Sequence, residues 1–126
     1  MSRSGYSDDY EHPDLWRGAV ARAITGYRGQ HFLRKLRDAL DAMPVKRLIT
    51  DEISNGTDVC ALGAVDPKCT IDPEDSDAVA HHFGIARAMA AEIVYWNDER
   101  FNRVTPEERW TCMRAWVGEQ IVPYAE

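Results

Sequence analysis

The chain has no run of apolar residues long enough to cross a membrane, which needs roughly 18 or more in succession. Its opening residues, MSRSGYSDDYEHPD, hold no apolar core of a secretory leader, so neither secretion nor membrane insertion is expected. Cysteine is scarce: Cys60, Cys69 and Cys112 are too few and too irregularly spaced for a disulfide framework, and the odd count leaves one unpaired. A reducing cytoplasm is the expected home. Also missing are a nucleophile elbow, a phosphate-binding glycine loop and a metalloprotease helix. Paired carboxylates such as Glu107 and Glu108 occur, but nothing in their spacing distinguishes a general acid from a solvated helix start. No catalytic residue, cofactor or metal ligand is therefore assigned.

What is present is charge, and it is segregated. From Arg17 to Arg47 there are eight Lys and Arg against Asp38 and Asp41 alone, whereas from Leu48 to Glu126 six basic residues face fifteen acidic ones. A net charge of −6 disfavours direct, phosphate-driven nucleic-acid binding, because the overall field repels a polyanion. With 126 residues, 44% of them apolar and 29% charged, the composition is that of a single soluble domain able to bury one core. The four Trp residues point to a core or interface rich in large aromatics.

Apolar periodicity predicts a mainly α protein, a single helical domain over 13–126 of about five or six helices, preceded by a polar arm over 1–12 that a partner or a second copy of the chain would have to hold. Leu15, Trp16, Ala19, Val20, Ala23, Ile24 and Tyr27 mark the first helix, with Gly26 and Gly29 at its end. Phe32, Leu33, Leu36, Ala39, Leu40 and Met43 mark the second, which Pro44 stops. Around Ser54-Asn55-Gly56-Thr57 the pattern changes, and Asn-Gly between apolar flanks predicts a small β-hairpin near 47–62, packed with Cys60, Leu62 and Val65 inward. A short helix starting at Ala61 is the alternative. Further helices are expected through Val79 to Phe83, ending at Gly84, and through Ile85 to Trp96. Thr105-Pro106-Glu107-Glu108 predicts a capping box opening the last helix, which carries Trp110, Met113, Val117 and Ile121 on one face.

Three constellations bear on function. Val79-Ala80, Phe83-Gly84-Ile85 and Ile93 echo a helix-turn-helix, yet Arg87 is the only base a recognition helix would offer, and Glu92, Asp98 and Glu99 would meet phosphates. Asn97-Asp98-Glu99 resembles the start of a calcium loop, but the fifth position is Phe101, so these side chains read as caps and loop hydrogen bonds. His81-His82 combined with Cys60 or Cys69 does not match the spacings of paired zinc ligands. Of the thiols, Cys60 and Cys112 lie among apolar neighbours, and Cys69, in a loop, reads as the more reactive one.

The blocks Ser2-Arg3-Ser4-Gly5-Tyr6-Ser7-Asp8-Asp9, Trp16-Arg17-Gly18-Ala19-Val20, Arg28-Gly29-Gln30 with Phe32-Leu33-Arg34, Val59-Cys60-Ala61-Leu62-Gly63-Ala64-Val65, Asn97-Asp98-Glu99, and Thr105 to Trp110 with Trp116-Val117 are spread over nearly the whole chain. Together they resemble a family of small uncharacterised phage and prophage proteins. The central Cys-Ala-Leu-Gly-Ala block followed by Asn97-Asp98 is also similar to a broader uncharacterised bacterial domain family. The chain departs from the phage pattern at Asp66 to Thr70 and at Arg100 to Val104, where a glycine-rich stretch is more usual. The resemblance carries no established activity, and implies a context: an accessory phage gene of the kind that disarms or redirects a host protein.

The leading expectation is thus a non-enzymatic protein that binds and inhibits a host protein or ribonucleoprotein defence complex in the bacterial cytoplasm, as anti-CRISPR proteins do. A homodimer is left open. Its contacts would be Arg34, Lys35 and Arg37 on the basic face, or Asp72, Glu74, Asp75 and Asp77 on the acidic one. The plainer account of both clusters is a solvated face that pairs within the molecule and serves a helix dipole. The alternatives are a helix-turn-helix-like DNA-binding regulator and a small enzyme or ligand-binding protein whose site assembles only in three dimensions.

Overall fold

Gly26 is where the first two helices part. In the computed structural model, which describes residues 13–100 and 103–123, α1 (Pro13–Thr25) ends there and α2 (Tyr27–Ala42) begins at the next residue. The turn is tight enough that the backbones touch: a Cβ on Gly29 would lie 2.0 Å from the Ala23 carbonyl oxygen and 2.8 Å from that of Ile24. Glycine at 29 is what lets α2 leave so closely past the end of α1. The break also overturns one expectation. Tyr27 belongs to α2 rather than to the core stripe of α1, and it stands 87% exposed, as Leu15 stands 66% exposed at the other end of α1.

The remaining helices are α3 (Ala61–Val65), α4 (Ser76–Phe83), α5 (Arg87–Tyr95) and α6 (Pro106–Gln120), with a π-helical turn, Trp96–Arg100, continuing α5. Helix α2 packs on α1, α3 and α6, and α5 packs on α1, α3 and α4. Their apolar stripes supply the centre of one hydrophobic cluster: Leu33, Leu36 and Leu40 from α2, Met89 and Ile93 from α5, and Met113 and Val117 from α6. Trp116 is buried and stacks on Trp96 at 5.4 Å, while Trp16 and Trp110 are half-buried against the same cluster. Gln30, wholly buried, ties the ends together: its amide donates to the carbonyls of Ile24 and Gln120, and its Oε1 accepts from Val122 N. Helix starts and stops follow the sequence. Asp75 caps α4, Gly84 ends it at φ 70°, and Thr105 with Glu108 closes the capping box of α6. Among the described residues no helix is long and apolar enough to cross a membrane. The expected arm over 1–12 lies outside them.

The hairpin expected near 47–62 does not form. Among the described residues there is no β-strand, only one antiparallel bridge between Ser54 and Val59. The Asn-Gly turn itself is present, with Gly56 at φ 94° and Asn55 Oδ1 accepting from the backbone of Thr57 and Asp58. Three backbone bonds cross between its flanks, from Ile49 N to the Val59 carbonyl, Cys60 N to the Ile53 carbonyl and Asn55 N to the Asp58 carbonyl, but they do not join into a ladder, because neighbouring groups on the first flank are held elsewhere. Leu48 N donates to the Pro106 carbonyl, the Ile49 carbonyl accepts from Asn97, and Asp51 N donates to Asp98. Tertiary partners thus take some of the groups that a continuous strand would have paired. Cys60 and Leu62 do point into the core, and Val65 packs against it from a half-buried position, but they do so from the start and body of α3.

Candidate functional site

The end of α3 folds back sharply. Asp66 receives Lys68 N on its Oδ1 at 3.2 Å and Cys69 N on its carbonyl at 3.1 Å, so the Asp-Pro-Lys turn carries Cys69 inward, where it is 4% exposed. From the last turn of α4, His82 Nε2 reaches Asp66 Oδ2 at 2.8 Å. One donor atom from each of Asp66, Cys69 and His82 lies within 4.8 Å of the other two. The His82 ring is fixed edge-on against Phe83, whose ring in turn meets Phe32 of α2. The hydrogen bond from His82, supported by Lys68 N, holds the Asp66 carboxyl below its usual pKa.

Cys69 also forms part of the wall of an open cleft of about 660 Å³. Asp51 and Glu52 stand across from it in sequence, and Thr70 to Pro73 continue its own side. The lining is polar and acidic, with Asp51, Glu52 and Asp72 all exposed. Such a field favours cations over anionic substrates. Cys69, expected from its loop position to be the more reactive thiol, is buried, and Cys112 is the most exposed of the three cysteines. Cys60 lies fully in the core, where burial pushes its thiol up to about 12.

The segment that carries Asp51 to this cleft is held by the π-helical turn. Asn97 is 1% exposed, and its Oδ1 accepts from Ala61 N at 3.0 Å while its Nδ2 donates to the Ile49 carbonyl at 2.9 Å. Arg109 Nη1 donates to the Asn97 carbonyl. Asp98 Oδ2 accepts from Asp51 N at 3.3 Å, and Asp51 itself takes φ 75°, a region a non-glycine residue adopts only when neighbours hold it there. Burial lowers the pKa of Arg109, with the charge of Asp98 opposing that shift. The widened turn thus aims two adjacent side chains at two separate segments.

The charged clusters named from sequence are placed unevenly. Lys35 is exposed, but Arg34 is half-buried with Nη2 3.3 Å from the Val122 carbonyl, and Arg37 pairs with its neighbour Asp38 at 3.0 Å. Elsewhere on the basic segment, Arg17 reaches Glu92, Arg47 pairs with Asp58, and Lys46 binds the carbonyls of Asp41 and Met43. Asp72, Glu74, Asp75 and Asp77 come together at the start of α4, all exposed. Their tasks include local ones: Asp72 accepts from Glu74 N, Asp75 caps the helix, and Asp77 pairs with Arg87 at 3.3 Å. Glu92, which a groove-binding helix would have turned toward phosphate, is 3% exposed and accepts from Trp96 Nε1 at 2.9 Å.

Two arrangements were not visible in the sequence. Spacing argues against joining His82 to Cys69, since twelve residues of intervening chain separate them, and nothing but the Asp-x-x-Cys turn points to Asp66 as the third member. The exposed corner at Tyr27 was hidden by a helical period that ran through the break at Gly26. There, Arg22, Tyr27 and Arg28 share a shallow depression of about 240 Å³, and the His31 ring stacks on Tyr27 with centroids 6.3 Å apart. Comparison of the chain with protein-family models, curated proteins and solved structures gives no match.

Proposed function

We propose that this is a non-enzymatic, phage- or prophage-encoded accessory protein that docks on a host protein or ribonucleoprotein defence complex in the bacterial cytoplasm and blocks it, in the manner of anti-CRISPR proteins. The phage context is drawn from the sequence blocks described above. The docking reading is carried by the Tyr27 corner: a tyrosine 87% exposed, set between two arginines and backed by a histidine ring. Tyrosine and arginine are the side chains that most often anchor protein interfaces, and an exposed tyrosine costs little conformational entropy when covered. Lys35, two turns along α2 from Arg28, extends the same cationic face. On a protein of net charge −6, such a local field suits an acidic surface on the partner, which speeds encounter as well as setting orientation. Because Arg34 and Arg37 are engaged within the molecule, the surface is centred on Tyr27, Arg28 and Lys35.

The helix-turn-helix alternative has less support. Helix α5 would be the reading helix, but Met89 through Val94 are all buried, which leaves it no free face for a groove.

The test is capture of partners by the tagged full chain from a lysate of its bacterial host, with and without nuclease, using the native chain and Tyr27→Ala and Arg28→Glu variants whose circular dichroism is unchanged. A stoichiometric protein complex that survives nuclease and is lost with the variants supports the proposal. Capture that persists in both variants refutes the Tyr27 surface. Nucleic acid alone, or an empty eluate, refutes the docking function.

A further inference from the structure

We propose that Asp66, Cys69 and His82 form a binding site for a single divalent transition-metal ion of the zinc class, with its remaining coordination position open to solvent. The inference is independent of the docking function.

Thiolate, imidazole and carboxylate are the three side-chain donors that zinc takes, and in sites that keep an open position three protein ligands are the usual number. Here the three come from two elements that the fold pins together. Asp66 and Cys69 sit three residues apart on one tight turn, and His82 stands in the last turn of α4; their donor atoms lie within 4.8 Å of one another. A tetrahedral ion at about 2.0–2.3 Å from each donor sets the donors about 3.3–3.8 Å apart, so side-chain adjustment of about 1 Å or less closes the three around one ion. The 2.8 Å hydrogen bond between His82 and Asp66 shows that the two side chains already face each other, and an ion would replace the shared proton. Cys69 has no disulfide partner, and an apolar packing role alone does not explain why its turn places it between a carboxylate and an imidazole.

Access and field point the same way. The side chains of Asp66 and His82 are each 38% exposed, so an ion can enter without unfolding and keep a water. Cys69 is shared with the acidic cleft, where Asp51, Glu52 and Asp72 add negative potential without being close enough to fill the set. Phe83 against the His82 ring restrains its orientation, as outer-shell packing does at metal sites.

The experiment uses the full chain, stripped with a chelator and titrated with Zn²⁺ alone by calorimetry and with Co²⁺ alone by absorption spectroscopy. One ion per chain and a thiolate-to-cobalt charge-transfer band are expected. Cys69→Ser should abolish that band, and Cys69→Ser and His82→Gln should each weaken binding by about tenfold or more, at least the loss seen when only outer-shell partners are removed. Circular dichroism checks that the variants fold. Absence of binding, binding without the thiolate band, or affinity unchanged in both variants would overturn the proposal.

Discussion

Removing the side chain of Asn97 tests how this fold replaces a hairpin with tertiary hydrogen bonds. In Asn97→Ala one buried and one part-buried group lose their partners at once: Ala61 N loses an acceptor at 3.0 Å and the Ile49 carbonyl loses a donor at 2.9 Å. Leaving a buried polar group unsatisfied costs about 1–3 kcal/mol. Two such groups give about 3 kcal/mol if each is at the lower middle of that range, which is a large share of the ~5–15 kcal/mol by which domains are stable. With a urea dependence of about 2 kcal/mol per M, the unfolding midpoint should fall by about 1.5 M. Tryptophan fluorescence follows the transition well, because Trp96 and Trp116 stack next to the affected turn. Asn97→Asp keeps the acceptor for Ala61 N but loses the donor to Ile49 and sets a carboxylate beside Asp98, so it should be no milder. As a control, Asn55→Ala removes only exposed turn bonds and should move the midpoint much less. A midpoint for Asn97→Ala within about 0.3 M of the native value would refute the reasoning, because that shift is worth well under 1 kcal/mol.

Two further outcomes follow from the same geometry. Gly29→Ala should be strongly destabilising, by about 3 kcal/mol or more, since its Cβ would meet two backbone carbonyl oxygens that cannot step aside, whereas Gly18→Ala meets only the flexible end of Arg22 and should raise the thermal midpoint through a gain of about 0.5–1 kcal/mol; paired calorimetric scans check both. Asp41 is held below its ordinary pKa of 3.8, first by the hydrogen bond from Arg114, against some opposing desolvation. A depressed carboxylate stabilises the fold above its unfolded value and loses that contribution as the pH falls through the lower folded one. Asp41→Asn should therefore cost about 0.2–1 kcal/mol at neutral pH, as exposed pairs do, with the difference from the native chain vanishing in acid; urea titrations at neutral and strongly acidic pH measure it.

How much of this was legible beforehand depended on how local the cause was. The capping box at Thr105 to Glu108 and the left-handed stop at Gly84 are decided within four residues, so the sequence alone placed them. The stripes of α2 and α6 reached the core as their spacing required. The hairpin failed for the opposite reason. Asn55-Gly56 did form its turn, but whether strands grow from a turn depends on where the neighbouring backbone groups find partners, and those partners are Asn97, Asp98 and Pro106, some fifty residues away.

The charge segregation likewise belonged to the sequence, while its meaning did not. Composition determined that one stretch of chain is basic, but only packing decided that Arg34 and Arg47 would find acceptors within the molecule and that Tyr27, Arg28 and Lys35 would be left facing outward. Cys69 shows the same division. Its turn was written in Asp66-Pro67-Lys68, but its meeting with His82 required α3 and α4 to end side by side. Helix periods, caps and stops are properties of neighbours along the chain. Burial, ion pairing and the gathering of donor atoms are properties of neighbours in space, and only the tertiary structure decides those.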